Sequence, residues 1–205
     1  MKTRRFFLLA TLSVVGLLAV GCDDSKHPLS DPNNSKPDAR LAGVWRARGN
    51  DGEVTYYHFG RPGDKLPESV MRLVEVKHSK EGKIPPTGEF LIFPTTLGNS
   101  AYLNLTDGKE EQIKRIEENG WKPETMDSFI LFKYKIEGDT LLAWGMDGEA
   151  KKRAIESKKI QGTIEKQDSG EKVRFTDTTE NLARFVAGAG DSLWSKDVLR
   201  LERVK

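Results

Sequence analysis

The chain has 205 residues, 37% of them hydrophobic and 31% charged, with 33 Lys and Arg against 31 Asp and Glu. So even a balance, with no basic cluster standing clear of acidic neighbours, excludes the electrostatic footprint of a nucleic-acid binder. A single cysteine, Cys22, excludes an intramolecular disulfide.

The first segment has the three parts of an export signal. Lys2, Arg4 and Arg5 give a positive start, Phe6 to Val20 is an apolar run, and small Gly21 precedes Cys22. The run falls short of the roughly 20 apolar residues that a spanning helix needs, so a cleaved signal over 1–21 is expected. Leu18-Ala19-Val20-Gly21-Cys22 resembles the processing box of bacterial lipoproteins. That resemblance implies cleavage before Cys22, diacylation of its sulfur and attachment to a membrane. The alternative is an ordinary secretory signal with a chance cysteine. The following Asp23-Asp24 resembles the signal that keeps enteric-type lipoproteins at the periplasmic face of the inner membrane, the outer membrane being the alternative. Loss of 1–21 removes three basic residues, so the mature side chains carry 30 basic and 31 acidic groups.

Residues 22–38 read as the lipidated cysteine and a flexible tether. Pro28, Pro32 and Pro37 are mixed with Ser, Asn and Asp, and Leu29 is the one large apolar side chain. Residues 39–205 are then one domain.

Within it, period-two patterns predict strands over 41–48, 54–59, 70–76, 89–93, 101–105, 129–136, 141–146, 160–164, 173–175 and 198–204. Ile130, Phe132, Tyr134 and Ile136 share one face. Gly138-Asp139 then makes a two-residue hairpin turn, and the partner strand presents either Leu141 and Ala143 or Leu142 and Trp144. Three helices interrupt the strands. Asp107 with Glu110 suggests a capping box for one ending at Asn119-Gly120; 150–159 is a second; Asp177 with Glu180 opens a third, which carries Leu182, Phe185 and Val186. Trp121 falls in a loop. Lys151, Lys152, Arg153, Lys158 and Lys159 read as a solvated face.

Eight to ten consecutive antiparallel strands with two or three short helices predict a mainly β protein, an up-and-down barrel that leaves no open edge; a two-sheet sandwich is the alternative. At Gly43-Val44-Trp45 the domain resembles the calycin group, which includes the lipocalins. The resemblance implies structural roles for Gly43 and Trp45, with the indole plugging one barrel end under a late arginine, here Arg200 or Arg203.

Chemistry is sparse. No Gly-x-Ser-x-Gly is present, and His27, His58 and His78 carry no metal-ligand spacing, so no catalytic residue, metal or cofactor is assigned. Gly188-Ala189-Gly190-Asp191 follows a helix and reads as its C-cap, not a phosphate loop. The strand aromatics, with Tyr56, Tyr134 and Trp144 as lining candidates, fit a cup for a small apolar or amphipathic ligand, or else a filled core. The functional expectation is a membrane-anchored, non-enzymatic, ligand-binding lipoprotein, the alternative an accessory lipoprotein docking on an envelope protein partner.

Overall fold

A computed structural model describes residues 25–49, 52–78, 87–122, 126–167 and 170–205. Cys22 and the expected signal lie outside the described residues. All ten predicted strands form: β1 (Gly43–Arg48), β2 (Val54–Gly60), β3 (Met71–His78), β4 (Gly88–Leu97), β5 (Ser100–Asp107), β6 (Ile130–Glu137), β7 (Thr140–Gly145), β8 (Gly162–Gln167), β9 (Gly170–Phe175) and β10 (Leu199–Arg203). Eight of them close a barrel in the order β1-β10-β7-β6-β5-β4-β3-β2, with antiparallel pairing throughout. The barrel is compatible with a calycin-type architecture. β8 and β9 form a separate two-stranded sheet. Their sequences, GTIEKQ and GEKVRF, alternate charge with too few apolar groups to line a lumen, and most of their residues are exposed or half-buried.

The helices are α1 (Glu110–Asn119), α2 (Gly148–Glu156) and α3 (Thr179–Ala189). The capping box expected at α1 does not form; Asp107 accepts instead from the Lys109 N–H at 3.1 Å, and Lys109 occupies the N-cap without a side-chain bond. At α2, Asp147 caps the Ala150 N–H at 2.7 Å. At α3 the cap is Thr178, accepting from Asn181 N, while Asp177 braces the turn by accepting from Thr178 N and Asn181 Nδ2. Gly190, at φ +59°, ends α3 as the C-cap reading required.

Two apolar clusters share the barrel wall. Inward side chains of all eight barrel strands, among them Trp45, Tyr57, Phe59, Leu73, Ile92, Leu105, Phe132, Tyr134, Leu141 and Leu201, form one continuous buried cluster. A second cluster lies outside the wall, where Leu91, Phe93, Tyr102 and Leu131 point outward under Ile113 and Ile116 of α1, Leu182 and Val186 of α3, and Trp121, Phe129 and Phe175. Trp121, read from sequence as a loop residue, is buried there with its ring edge-on to Phe93 at 5.4 Å. Lys151 also departs from the solvated reading: it is 4% exposed, and its ammonium reaches the Val173 carbonyl at 3.4 Å.

The largest departure concerns the expected tether. From Ser25 onward the chain is packed. Ser25 is fully buried and exchanges backbone hydrogen bonds with Phe129 at 2.9 and 2.8 Å, while Lys26 N donates to the Phe175 carbonyl at 2.8 Å. Leu29 enters the outer cluster, its N–H donating to Asn104 Oδ1 at 2.7 Å. Ser30 meets Thr95 at 2.5 Å, and Ser69 donates to the Pro32 carbonyl at 2.6 Å. This strap thus runs the length of the barrel wall, from the end where β6 begins to the end where β3 begins. The folded body therefore takes in residues 25–38 as well, because the strap takes hydrogen-bond partners from β4, β5 and the β2–β3 loop that no local pattern reveals.

Candidate functional site

One barrel end is closed by the residues that carry the calycin resemblance. A 3₁₀ turn over Ala39–Leu41 folds across it, and Leu41 is wholly buried. Trp45 is wholly buried too, its indole N–H donating to the Leu41 carbonyl at 2.8 Å. Arg203, not Arg200, covers the ring, with its guanidinium carbon 4.1 Å from the ring centroid. The Arg203 guanidinium also donates to the Ala42 carbonyl at 2.8 Å and to the Arg40 carbonyl. Gly43 sits at φ +116°, a conformation closed to ordinary side chains, and a Cβ there would stand 3.2 Å from the Arg203 guanidinium. Gly43 and Trp45 are therefore parts of one plug.

Asp38 extends that plug toward Tyr134. The Tyr134 hydroxyl donates to Asp38 Oδ2 at 2.8 Å, and Arg40 grips the same carboxylate with Nε and Nη2 at 2.9 and 2.8 Å. The Arg40 hydrogen bond holds the Asp38 carboxyl below its usual range, with Tyr134 adding to the effect. Burial pushes the Tyr134 phenol well above its usual range, and the Asp38 hydrogen bond and charge push the same way. Tyr57, whose cross-strand partner is Glu75, is likewise pushed up, first by burial and then by the Glu75 charge.

The three lining candidates separate. Tyr134 points into the lumen and belongs to the interior cluster. Tyr56 points out from β2, its ring edge-on to His78 at 5.4 Å. Trp144 points out from β7 and packs on the outer cluster. Tyr134 and Trp144 nevertheless border one open groove of about 710 Å³, formed where β5, β6 and β7 meet the segment after α3; Tyr56 is remote from it. Ala101, Ile136 and Trp194 add apolar surface to this groove, and Arg40, Lys133, Lys135 and Lys196 add four cations against one acid, Asp191. Lys133 is ion-paired to Asp191, and Lys135 to Glu137 at 2.5 Å. Trp194, which the sequence reading did not single out, is held by its backbone bridge to Met146 and by ring contact with Tyr102 at 5.4 Å. Its only sequence signal was its aromatic type beside the Gly-rich end of α3.

Inward side chains from every barrel strand meet in the lumen as one buried cluster. An eight-stranded barrel is just wide enough for its side chains to fill, and the interior cluster spans every strand. Among the described residues, no group of three or more His, Cys, Asp or Glu is arranged to hold a metal, and no helix is long and apolar enough to cross a membrane.

The chain matches no protein-family model, and comparison with curated proteins and with solved structures gave no significant match.

Proposed function

We propose that the protein is a membrane-anchored, non-enzymatic lipoprotein, lipidated at Cys22 and held at the periplasmic face of the inner membrane, whose calycin-type barrel presents a small amphipathic ligand site on its outer wall. The groove bordered by Tyr134, Trp144 and Trp194 carries this reading. At about 710 Å³ it has the size of small-ligand sites, and it combines aromatic surface with polar groups at its rim. Arg40, Lys133 and Lys135 are already paired with Asp38, Asp191 and Glu137, so Lys196 is the lining cation that favours an amphipath with an anionic head. The test uses protein purified without detergent, native mass spectrometry for a retained ligand, and tryptophan quenching by a lysophosphatidylglycerol series. Saturable quenching that weakens strongly in Trp144→Ala and Lys196→Glu supports the site. Unsaturable quenching, indifferent to both substitutions, overturns it.

A second reading, docking on an envelope protein partner, draws support from a different surface. Between α2 and α3 lies an open trough of about 1090 Å³ whose floor includes Ala150, Ala154, Phe185, Ala189 and Leu193, with Arg153 and Arg184 beside them. A photo-crosslinker at Phe185 in living cells distinguishes the readings. Capture of one discrete protein there, lost on Arg184→Glu, favours docking; a crosslinker that stays unreacted favours the ligand groove.

A further inference from the structure

The packed strap has a geometric consequence for a chain anchored at Cys22. Ser25 is pinned between two elements, through its backbone exchange with Phe129 and the adjacent Lys26 bond to Phe175. Phe129 directly precedes β6, whose first residue, Ile130, is paired with Leu105 near the end of β5. The pinning point therefore lies at the barrel end opposite the Trp45 plug. From there the strap leads away, through Leu29 on Asn104 and Pro32 on Ser69, toward the plugged end. Three peptide steps separate Cys22 from Ser25, and an extended chain covers at most about 3.6 Å per residue, so Cys22 lies within roughly 11 Å of Ser25. A free tether of sixteen residues would let either end of the barrel meet the lipid; three steps from a buried, doubly bridged residue do not.

We infer that the β5–α1–β6 end of the barrel is the face applied to the lipid surface, and that the Trp45–Arg203 plug points away from it. This rests on the anchoring reading above, and the occupant of that face is the phospholipid headgroup layer. The face is suited to contact at that level. Exposed Lys26 and Lys109 stand on it, Lys109 paired with Asp107 at 3.2 Å, and a recess of about 420 Å³ opens there, bordered by Phe90, Leu105, Ile130 and the carboxylates of Glu89 and Asp107, so the short lead to Cys22, not charge, sets this face. The plugged end lies roughly 20 Å further out, the length of strands of about seven residues. The lipid anchor thus acts as a fixed foot that sets which surfaces face outward.

The full lipidated chain tests this. A cysteine introduced elsewhere is its sole free thiol, because Cys22 is the only native cysteine and acylation occupies its sulfur. A fluorophore is placed at Lys109→Cys, on the inferred lipid face, or at Arg61→Cys, just beyond β2 at the plugged end. Each protein is reconstituted into phosphatidylethanolamine–phosphatidylglycerol vesicles carrying a nitroxide on the headgroup. The expected result is quenching several-fold stronger at 109 than at 61. A flexible Gly-Ser insert between Asp24 and Ser25 should erase that difference while leaving flotation with the vesicles intact. Equal quenching at both positions in the uninserted, floating protein, or stronger quenching at 61, overturns the orientation and leaves anchoring standing. Loss of flotation overturns the anchoring reading itself, and the orientation with it.

Discussion

Truncating Trp45 is the sharpest probe of the plugged end. The indole is 0% exposed, donates its N–H to a buried carbonyl at 2.8 Å and lies under the Arg203 guanidinium at 4.1 Å. Removing a core aromatic costs about 3–5 kcal/mol from lost burial and the cavity left behind. Trp45→Ala also strips the Leu41 carbonyl of its donor, a loss of about 1–3 kcal/mol that overlaps the cavity term and does not simply add to it. Trp45→Phe keeps most of the ring contact and loses the hydrogen bond, so about 1–2 kcal/mol is expected from it. The Arg203 contribution is isolated by a double-mutant cycle of Trp45→Leu, which removes the π face, with Arg203→Met. The long aliphatic replacement keeps the packing and removes the charge, so the coupling should be about 0.5–1 kcal/mol, the range of cation–π contacts at partly exposed sites. The assay is urea unfolding followed by far-UV circular dichroism in the Cys22→Ser chain, where no lipid intervenes. A Trp45→Ala loss below about 1 kcal/mol would refute the plug, and a zero coupling beside normal single losses would refute the role given to Arg203.

Trp121→Ala should also be costly, about 2–4 kcal/mol in the same urea assay, because its ring is buried against Phe93. Asp38 has a folded pKa depressed below its unfolded value, so its contribution is full above about pH 4 and is lost as the pH falls through the folded value. Acid titration of stability in Asp38→Asn should accordingly show a shallower fall below pH 4 than the parent chain. Leu29→Ala should cost about 2–4 kcal/mol in urea unfolding, and hydrogen exchange should show loss of protection at Ser25 and Lys26 before the barrel strands lose theirs. Cys22→Ser should abolish palmitate labelling and release the protein from membranes; unchanged labelling would refute lipidation at that residue.

What the sequence made legible follows from the range of the forces involved. Strand existence rests on alternation, which is local, and every run read as a strand became one. The 138–139 hairpin rests on turn stereochemistry, also local, and Gly138 takes the positive φ of 57° that such a turn requires. Which face turns inward is legible in places from the position of single residues. Leu199, Leu201 and Arg203 share one face of β10, so the arginine able to reach an interior tryptophan had to be Arg203, two residues beyond a buried leucine, and not the outward Arg200. The same parity places Tyr57 with Phe59 inside and Tyr56 outside, and Leu141 with Ala143 inside and Trp144 outside.

The outer layer and the strap were harder, for a reason that links them. A barrel strand with a solvated exterior alternates, whereas one covered on both faces is apolar in succession. Leu91-Ile92-Phe93 and Leu131-Phe132 are such runs, and they mark the wall that α1, Trp121 and the strap cover. That pattern says a wall is covered without saying by what. The strap supplies one large side chain, Leu29, and otherwise binds through backbone groups and hydroxyls whose partners, Asn104, Thr95 and Ser69, lie between 37 and 75 residues away. Asn104 was the visible trace of the missing element. It stands between Leu103 and Leu105 in the middle of β5, points outward and is wholly buried, and a buried amide needs a partner for its oxygen as well as its N–H groups. The strap meets that need with the Leu29 N–H, while Phe93 and Thr95 take the amide's own donors at 3.1 and 2.8 Å. A polar residue in the middle of an otherwise apolar wall thus marks where the chain leading from Cys22 is fastened.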